Sequence, residues 1–170
     1  MEAKPLRQTC AAETIERDEK RQNRMKLIPS LLMTGCVAAL TAGCASGPRY
    51  AEYRPSVAPA REGYGRVWFY RPSVRGAMFQ PAVKLDNQRV GNAVPHGFFA
   101  VETTPGIHEV SAATEWKHKT TINVRSNEDT YVRLITWPGL LAYHVIPKEV
   151  EAPRAMNDLK NLHLAASATQ

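Results

Sequence analysis

Cysteine is scarce in this chain of 170 residues, with three in all: Cys10, Cys36 and Cys44. None stands in a Cys-x-x-Cys pair, so neither a paired zinc ligand set nor a thioredoxin-like redox motif is present. The five histidines never fall at His-x-His or His-x-x-x-His spacing, and His96, His118 and His144 belong to separate expected elements. Zinc would need histidines and carboxylates assembled through the fold, so no metal and no other cofactor is expected. There is no Gly-x-Ser-x-Gly elbow, and Gly63 and Gly65 lead into no Gly-Lys-Ser/Thr phosphate loop. Ser111 and Thr114 fall on an expected strand, where hydroxyls are commonplace, and Glu102, Glu109 and Glu115 read as solvent-facing strand residues. No catalytic residue is expected. Charge of one sign is also thin: Lys and Arg number 22 against 16 Asp and Glu, for a net charge of +6. The bases are scattered, without a run or stripe, which argues against a nucleic-acid partner. A mild attraction to anionic phospholipid or lipopolysaccharide phosphates stays open, beside the plainer reading of a solvated surface. No internal repeat is visible.

What the chain does have begins at Met25-Lys26-Leu27. Lys26 supplies a positive charge, Leu27 to Ala42 carries none, and small residues follow up to Gly43 and Cys44. That is the order of a secretory signal: basic start, apolar run, small-residue cleavage site. The run is short for a transmembrane helix, which needs about 20 apolar residues, and Pro29 and Gly35 interrupt it. Met1 to Arg24 is dense in both acids and bases, unlike a signal start. The expected translation start is therefore Met25, with residues 1–24 a mis-assigned or disordered extension.

The run Leu40-Thr41-Ala42-Gly43-Cys44 resembles the lipobox of bacterial lipoproteins. The family more often has Leu where Thr41 stands, three residues before the cysteine. The resemblance implies cleavage between Gly43 and Cys44 and a diacylglycerol on the Cys44 thiol. Cys36, after Leu32-Met33-Thr34-Gly35, is the weaker candidate, because it would leave an apolar run of about nine residues, the low end of the range. With Cys10 and Cys36 removed, no intrachain disulfide can form. Ala45, not Asp, follows Cys44, which by analogy with Gram-negative sorting implies the outer membrane, facing the periplasm.

Residues 44–62 read as a tether, with Gly47, Pro48, Pro55 and Pro59 and little periodicity. From residue 63 the pattern becomes short β-type runs between turns. Arg66–Arg71 ends at Pro72; Ala82–Leu85 and Gln88–Val90 flank an Asp86-Asn87 hairpin turn; Phe98–Glu102 is followed by a Thr104-Pro105-Gly106 turn. Ile107–Thr114 places His108, Val110 and Ala112 on one face, and Lys119–Arg125 aligns Thr120, Ile122 and Val124. Tyr131–Trp137 and Leu141–Val150, the latter bent or edged by Pro147, complete about seven strands. Ala155, Met156, Leu159 and Leu162 then recur at helical spacing, predicting a helix of about three turns within 151–164. The expectation is an all-β, mainly antiparallel sandwich with a C-terminal helix over 63–164 and a frayed tail at 165–170.

Several of these runs, in this order, resemble a family of uncharacterised bacterial lipoproteins and envelope proteins sharing domain of unknown function 2846. They are Arg66-Val67-Trp68-Phe69-Tyr70-Arg71, Val83-Lys84-Leu85-Asp86-Asn87 with Val90-Gly91, Thr104-Pro105-Gly106-Ile107-His108 and Thr130-Tyr131-Val132-Arg133. The family usually has Gly where Asn87 stands. The resemblance implies a small β-sandwich on a lipid anchor and implies no reaction.

The aromatics are the remaining candidates. Trp68 and Tyr70 share one face of their strand, Val67 and Phe69 the other. Either both faces are buried, with the C-terminal helix over one, or an aromatic face is exposed for a partner. Trp68, Tyr70, His108 and Trp137 form the candidate binding surface; for His108 the plainer reading is a half-buried side chain bonded to a loop carbonyl. The functional expectation is a lipid-anchored, non-catalytic envelope module that meets the membrane through its anchor and binds a protein, glycan or lipid. The alternatives are an envelope hydrolase or metal-dependent enzyme, and a structural or stress-related lipoprotein without a dedicated ligand. A polar pocket around His108 or His144 would favour an enzyme; an exposed aromatic patch or an open sheet edge would favour a binder.

Overall fold

Strand β1, Gly65–Arg71, is buried along its whole length, and the rest of the architecture follows from that. Alternate residues of a strand point to opposite faces, so Val67 and Phe69 enter one apolar layer while Trp68 and Tyr70 enter another. A computed structural model describes residues 45–113, 117–140 and 143–165 of the chain. After β1 come β2 (Ala82–Leu85), β3 (Gln88–Asn92), β4 (Gly97–Thr103), β5 (Gly106–Ala113), β6 (Lys117–Val124), β7 (Asp129–Pro138), β8 (Tyr143–Val150) and β9 (His163–Leu164). Two short helical pieces stand outside the sheets: α1, Tyr50–Tyr53, with a 3-10 turn at Arg54–Ser56, and α2, Ala152–Leu159.

The strands form two sheets, in the order β8-β7-β1-β4-β9 and β3-β2-β5-β6. Most neighbours are antiparallel; β1 with β7 and β4 with β9 are parallel. Val67, Phe69, Val83, Val110, Ile122 and Leu134 belong to the core between the sheets. The other face of the five-stranded sheet is covered by α1, α2 and the segment after it, whose Tyr50, Ala155, Leu159 and Leu162 pack on Trp68, Tyr70 and Phe98. The result is a β-sandwich with a third, partial layer.

Turn chemistry explains the hairpins. Asp86 and Asn87 both have positive φ, 50° and 67°, the type I′ geometry whose twist suits a two-residue hairpin. Pro147 lies in β8, an edge strand where a missing N–H disturbs no inner ladder. Pro153 sits in the first turn of α2, where its N–H would have no partner anyway.

Two expectations need correction. The C-terminal helix stops at Leu159, after about two turns, not three. Beyond it the backbone donors go elsewhere: His163 N–H to the His96 carbonyl, Leu164 N–H to Pro48 and Ala165 N–H to Phe98. Leu162 is still buried, but from a turn. The second correction concerns the expected tether. Ala45 N–H reaches the Pro95 carbonyl at 3.4 Å, Gly47 N–H that of Leu164 at 3.1 Å and Tyr50 N–H that of Leu162 at 2.9 Å. Arg49 forms an antiparallel bridge with His163. The segment leading into the domain is thus laced to the end of the chain, and Tyr50 is a core residue with 5 % of its surface exposed. No helix among the described residues is long and apolar enough to cross a membrane.

Candidate functional site

Of the expected surface residues, Trp68 and Tyr70 are completely buried and are not available to a partner. Tyr50 meets the Trp68 ring edge-on at 5.2 Å between centroids, and the guanidinium groups of Arg54 and Arg66 lie over it at 5.5 and 5.9 Å. The Tyr70 hydroxyl donates to Asp158 at 3.2 Å, and burial pushes its pKa well above the usual tyrosine value. A strand apolar on both sides was ambiguous from sequence; the leading segment and α2 resolve it in favour of the core. Gly43 and Cys44 lie outside the described residues.

His108 follows the Gly106 turn on β5 and is almost wholly enclosed. Its Nδ1 lies 2.5 Å from Asp86 Oδ2 and its Nε2 lies 2.7 Å from the Thr104 carbonyl. Both partners are acceptors, so this geometry favours the protonated ring, in which both nitrogens donate. Burial alone would lower the His108 pKa, but the bonds to Asp86 and Thr104 outweigh it and the net shift is upward. The bond from His108 holds the Asp86 carboxyl below its ordinary range, against a smaller effect of burial and helped by the Glu109 N–H at 2.9 Å. Asp86 therefore turns the hairpin and ties it to β5. In this state the ring has no lone pair with which to accept a proton or bind a metal. His118 and His144, assigned to separate elements, do come together, with ring centroids 5.5 Å apart. Among the described residues no three potential metal ligands cluster.

An open cleft of about 400 Å³ lies between the β2–β3 hairpin and β4. Leu85, Val90 and Val101 form its apolar floor, and Asp86, Arg89 and Glu102 stand along it. These polar groups already have partners: Asp86 holds His108, Arg89 donates to Asn92 at 2.9 Å, and Glu102 accepts from Arg66 at 2.9 Å. The Arg66 bond keeps Glu102 ionised and its pKa low. Beside the cleft, β4 pairs with β1 on one side, but on the other β9 covers only Gly97 and Phe98. From Phe99 to Thr103 that side of β4 has no strand partner among the described residues. An edge of free backbone groups next to an apolar-floored cleft can accept an extended chain.

Residues 61–141 match the family model described as protein of unknown function, DUF2846. This segment is a DUF2846 domain. Comparisons with curated proteins and with solved structures return no match to the chain. The DUF2846 segment carries β1 to β7; the pieces that close the outer face of β1, namely α1, α2 and β9, come from outside it.

Within the DUF2846 domain, one residue that sequence reasoning passed over organises a whole end of the sandwich. Arg71 is fully buried. Its Nη1 donates to the carbonyls of Phe79 and Ala93, both at 2.7 Å, and its Nη2 to those of Arg75 at 2.6 Å and Gly76 at 3.0 Å. Burial lowers its pKa, yet a guanidinium remains charged in a protein. An arginine that ends a strand beside Pro72 looks solvent-facing in sequence, so nothing local betrayed this role. The loop it holds, residues 72–81, packs against β8: a Cβ on Gly76 would fall 2.6 Å from the Tyr143 ring. That loop exposes Met78 almost completely, along with Val74 and Phe79; across Tyr143, Trp137 near the end of β7 and Leu140 just after it are exposed as well. Trp137 is thus the accessible member of the expected aromatic set.

Proposed function

We propose that the protein is a lipid-anchored lipoprotein of the bacterial envelope whose DUF2846 sandwich is a non-catalytic binding module for an extended segment of another envelope protein. The anchor reading rests on the layout of Met25 to Cys44, with the thiol of Cys44 as the acylated atom and Ala45 favouring an outer-membrane address facing the periplasm. The binding reading is carried by one observation: the uncovered side of β4 from Phe99 to Thr103, running beside the cleft. Main-chain hydrogen bonds to that edge would supply affinity, and the floor of Leu85, Val90 and Val101 would select apolar side chains from the incoming strand. The polar groups along the cleft are tied into ion pairs and turns, which suits a rim more than a reaction centre.

Two measurements test this. Mass analysis of the protein released from envelopes should find residues 25–43 missing and acyl chains on Cys44; Cys44→Ser should move the protein out of the membrane fraction, and retention there would sink the anchor reading. A photo-crosslinking residue at Gln88 or Thr103, in intact envelopes, should trap a discrete protein adduct. Adducts at distant strand positions but none at these two would remove the cleft as the binding site.

A further inference from the structure

We propose that the end of the sandwich bearing Met78, Phe79, Trp137 and Leu140 lies on the phospholipid surface, so that the domain sits directly on the membrane that anchors it. The inference rests on the anchor reading above and adds an orientation. Ala45, the residue after Cys44, is bonded to Pro95, and a Cβ on Gly97 would touch the Ala45 methyl at 3.1 Å. Gly97 pairs with Arg71, which in turn gathers the loop of Met78 and Phe79. The acylated residue is therefore one peptide unit, about 3.8 Å between Cα atoms, from the end at which the apolar side chains emerge. No slack remains to hold this end away from the bilayer.

The surface itself suits lipid. Met78 and Leu140 are each 94 % exposed and Trp137 63 %. Met78 lies in loop 72–81, Trp137 near the end of β7 and Leu140 just beyond it. β7 runs on past the end of β1, since Tyr70 pairs with Arg133 while β7 continues to Pro138, so Trp137 and Leu140 project. Loops 72–81 and 93–96 contain no Asp or Glu, Arg75 and His96 are exposed among them, and the turn after α2 at the same end exposes Lys160; the β5–β6 connection at this end brings the one acid of its sequence, Glu115. A tryptophan with apolar neighbours and more exposed cations than acids matches an anionic headgroup interface. In this orientation the cleft, at the end of the Asp86 turn and Thr103, faces away from the membrane.

The test uses the full-length acylated protein purified from envelopes, reconstituted in phosphatidylethanolamine–phosphatidylglycerol vesicles containing a nitroxide lipid. An acylated Cys44 leaves no free thiol, so Leu140→Cys, Met78→Cys and, at the opposite end, Ser126→Cys can each take one environment-sensitive fluorophore; unchanged circular dichroism confirms folding. The labels at 140 and 78 should be quenched by the nitroxide about two-fold or more over the label at 126, which should instead be quenched by aqueous iodide. Labels at 140 and 78 that stay open to iodide overturn the membrane contact while leaving the anchor intact. Shielding in native envelopes but not in vesicles assigns this end to a protein partner and overturns the proposal equally. A mass lacking acyl chains removes the anchor reading and this one together.

Discussion

The two ends of the sandwich are built by opposite chemistry. At the end where Ala45 enters, loops 72–81 and 93–96 carry no acid, and the organising charge, Arg71, is hidden, with both terminal nitrogens bonded to backbone carbonyls. At the other end the charges are paired, each pair with at least one partner partly open to solvent: Asp86 with His108, Glu102 with Arg66, Arg54 with Asp129 at 2.6 Å and Arg125 with Glu128. Ile107 is the exposed apolar exception there. The difference teaches that apolar exposure in this protein is not careless surface. One end uses a buried cation to hold apolar tips outward, while the other uses visible ion pairs to hold polar turns inward.

Arg71 should give the largest break in that contrast. Arg71→Ala removes four charge-assisted bonds and leaves the loop carbonyls without their donor, a loss of about 3 kcal/mol in urea unfolding. Limited proteolysis should then cut first within 72–81; cutting spread evenly over both ends would show that Arg71 serves the whole fold. Next in size is Gly76→Val. Gly76 has φ +63° and lies against Tyr143, so a branched side chain is strained and obstructed at once, at a cost of about 2 kcal/mol.

The polar end should respond to pH, and the signs differ for the two partners. His108 has a raised folded pKa, so its contribution is fully present below the unfolded value near ~6.5 and is lost as pH rises through the folded one. Asp86 has a lowered folded pKa, so its contribution is present above about 3.9 and lost as pH falls through the folded value. The pair should be worth most between these limits, and no more than about 1 kcal/mol since Asp86 is half exposed to screening solvent. A His108→Gln variant should flatten the alkaline decline; an unchanged slope would mean that another group titrates. Smallest of all, Met78→Asp with Leu140→Asp should leave the unfolding free energy within about 0.5 kcal/mol of the parent. A larger loss would mean that those tips pack against the domain and are not free.

The strands were legible because their signals are local. Alternation at Ile107–Thr114 places His108, Val110 and Ala112 inward, and all three are buried; Asp86-Asn87 turns because those residues accept positive φ. What escaped depends on partners distant in the chain. Trp68 and Tyr70 read equally as an exposed or a covered face until residues 50 and 159 are brought over them. The apolar spacing that ends at Leu162 continues a helical rhythm, but the backbone leaves the helix because Phe98 and Pro48 offer acceptors to the residues that follow. Residues 45–50 lack periodicity because their order is borrowed from residues 162–165, and no window of sequence contains both. Loop tips such as Met78 and Leu140 have no rhythm at all, so their shared location emerges only from the register of β1, β4, β7 and β8.

The bridge between Arg49 and His163 also sets an order in time. A chain made from its front end delivers residue 163 long after residue 49, and until then the leading segment lacks this partner. Throughout that wait, Ala45 to Tyr50 lack the backbone partners that residues 162–165 will bring. Once the last residues emerge, the lacing closes and the same stretch becomes part of a folded wall. A chain cut short before His163 would leave that wall open.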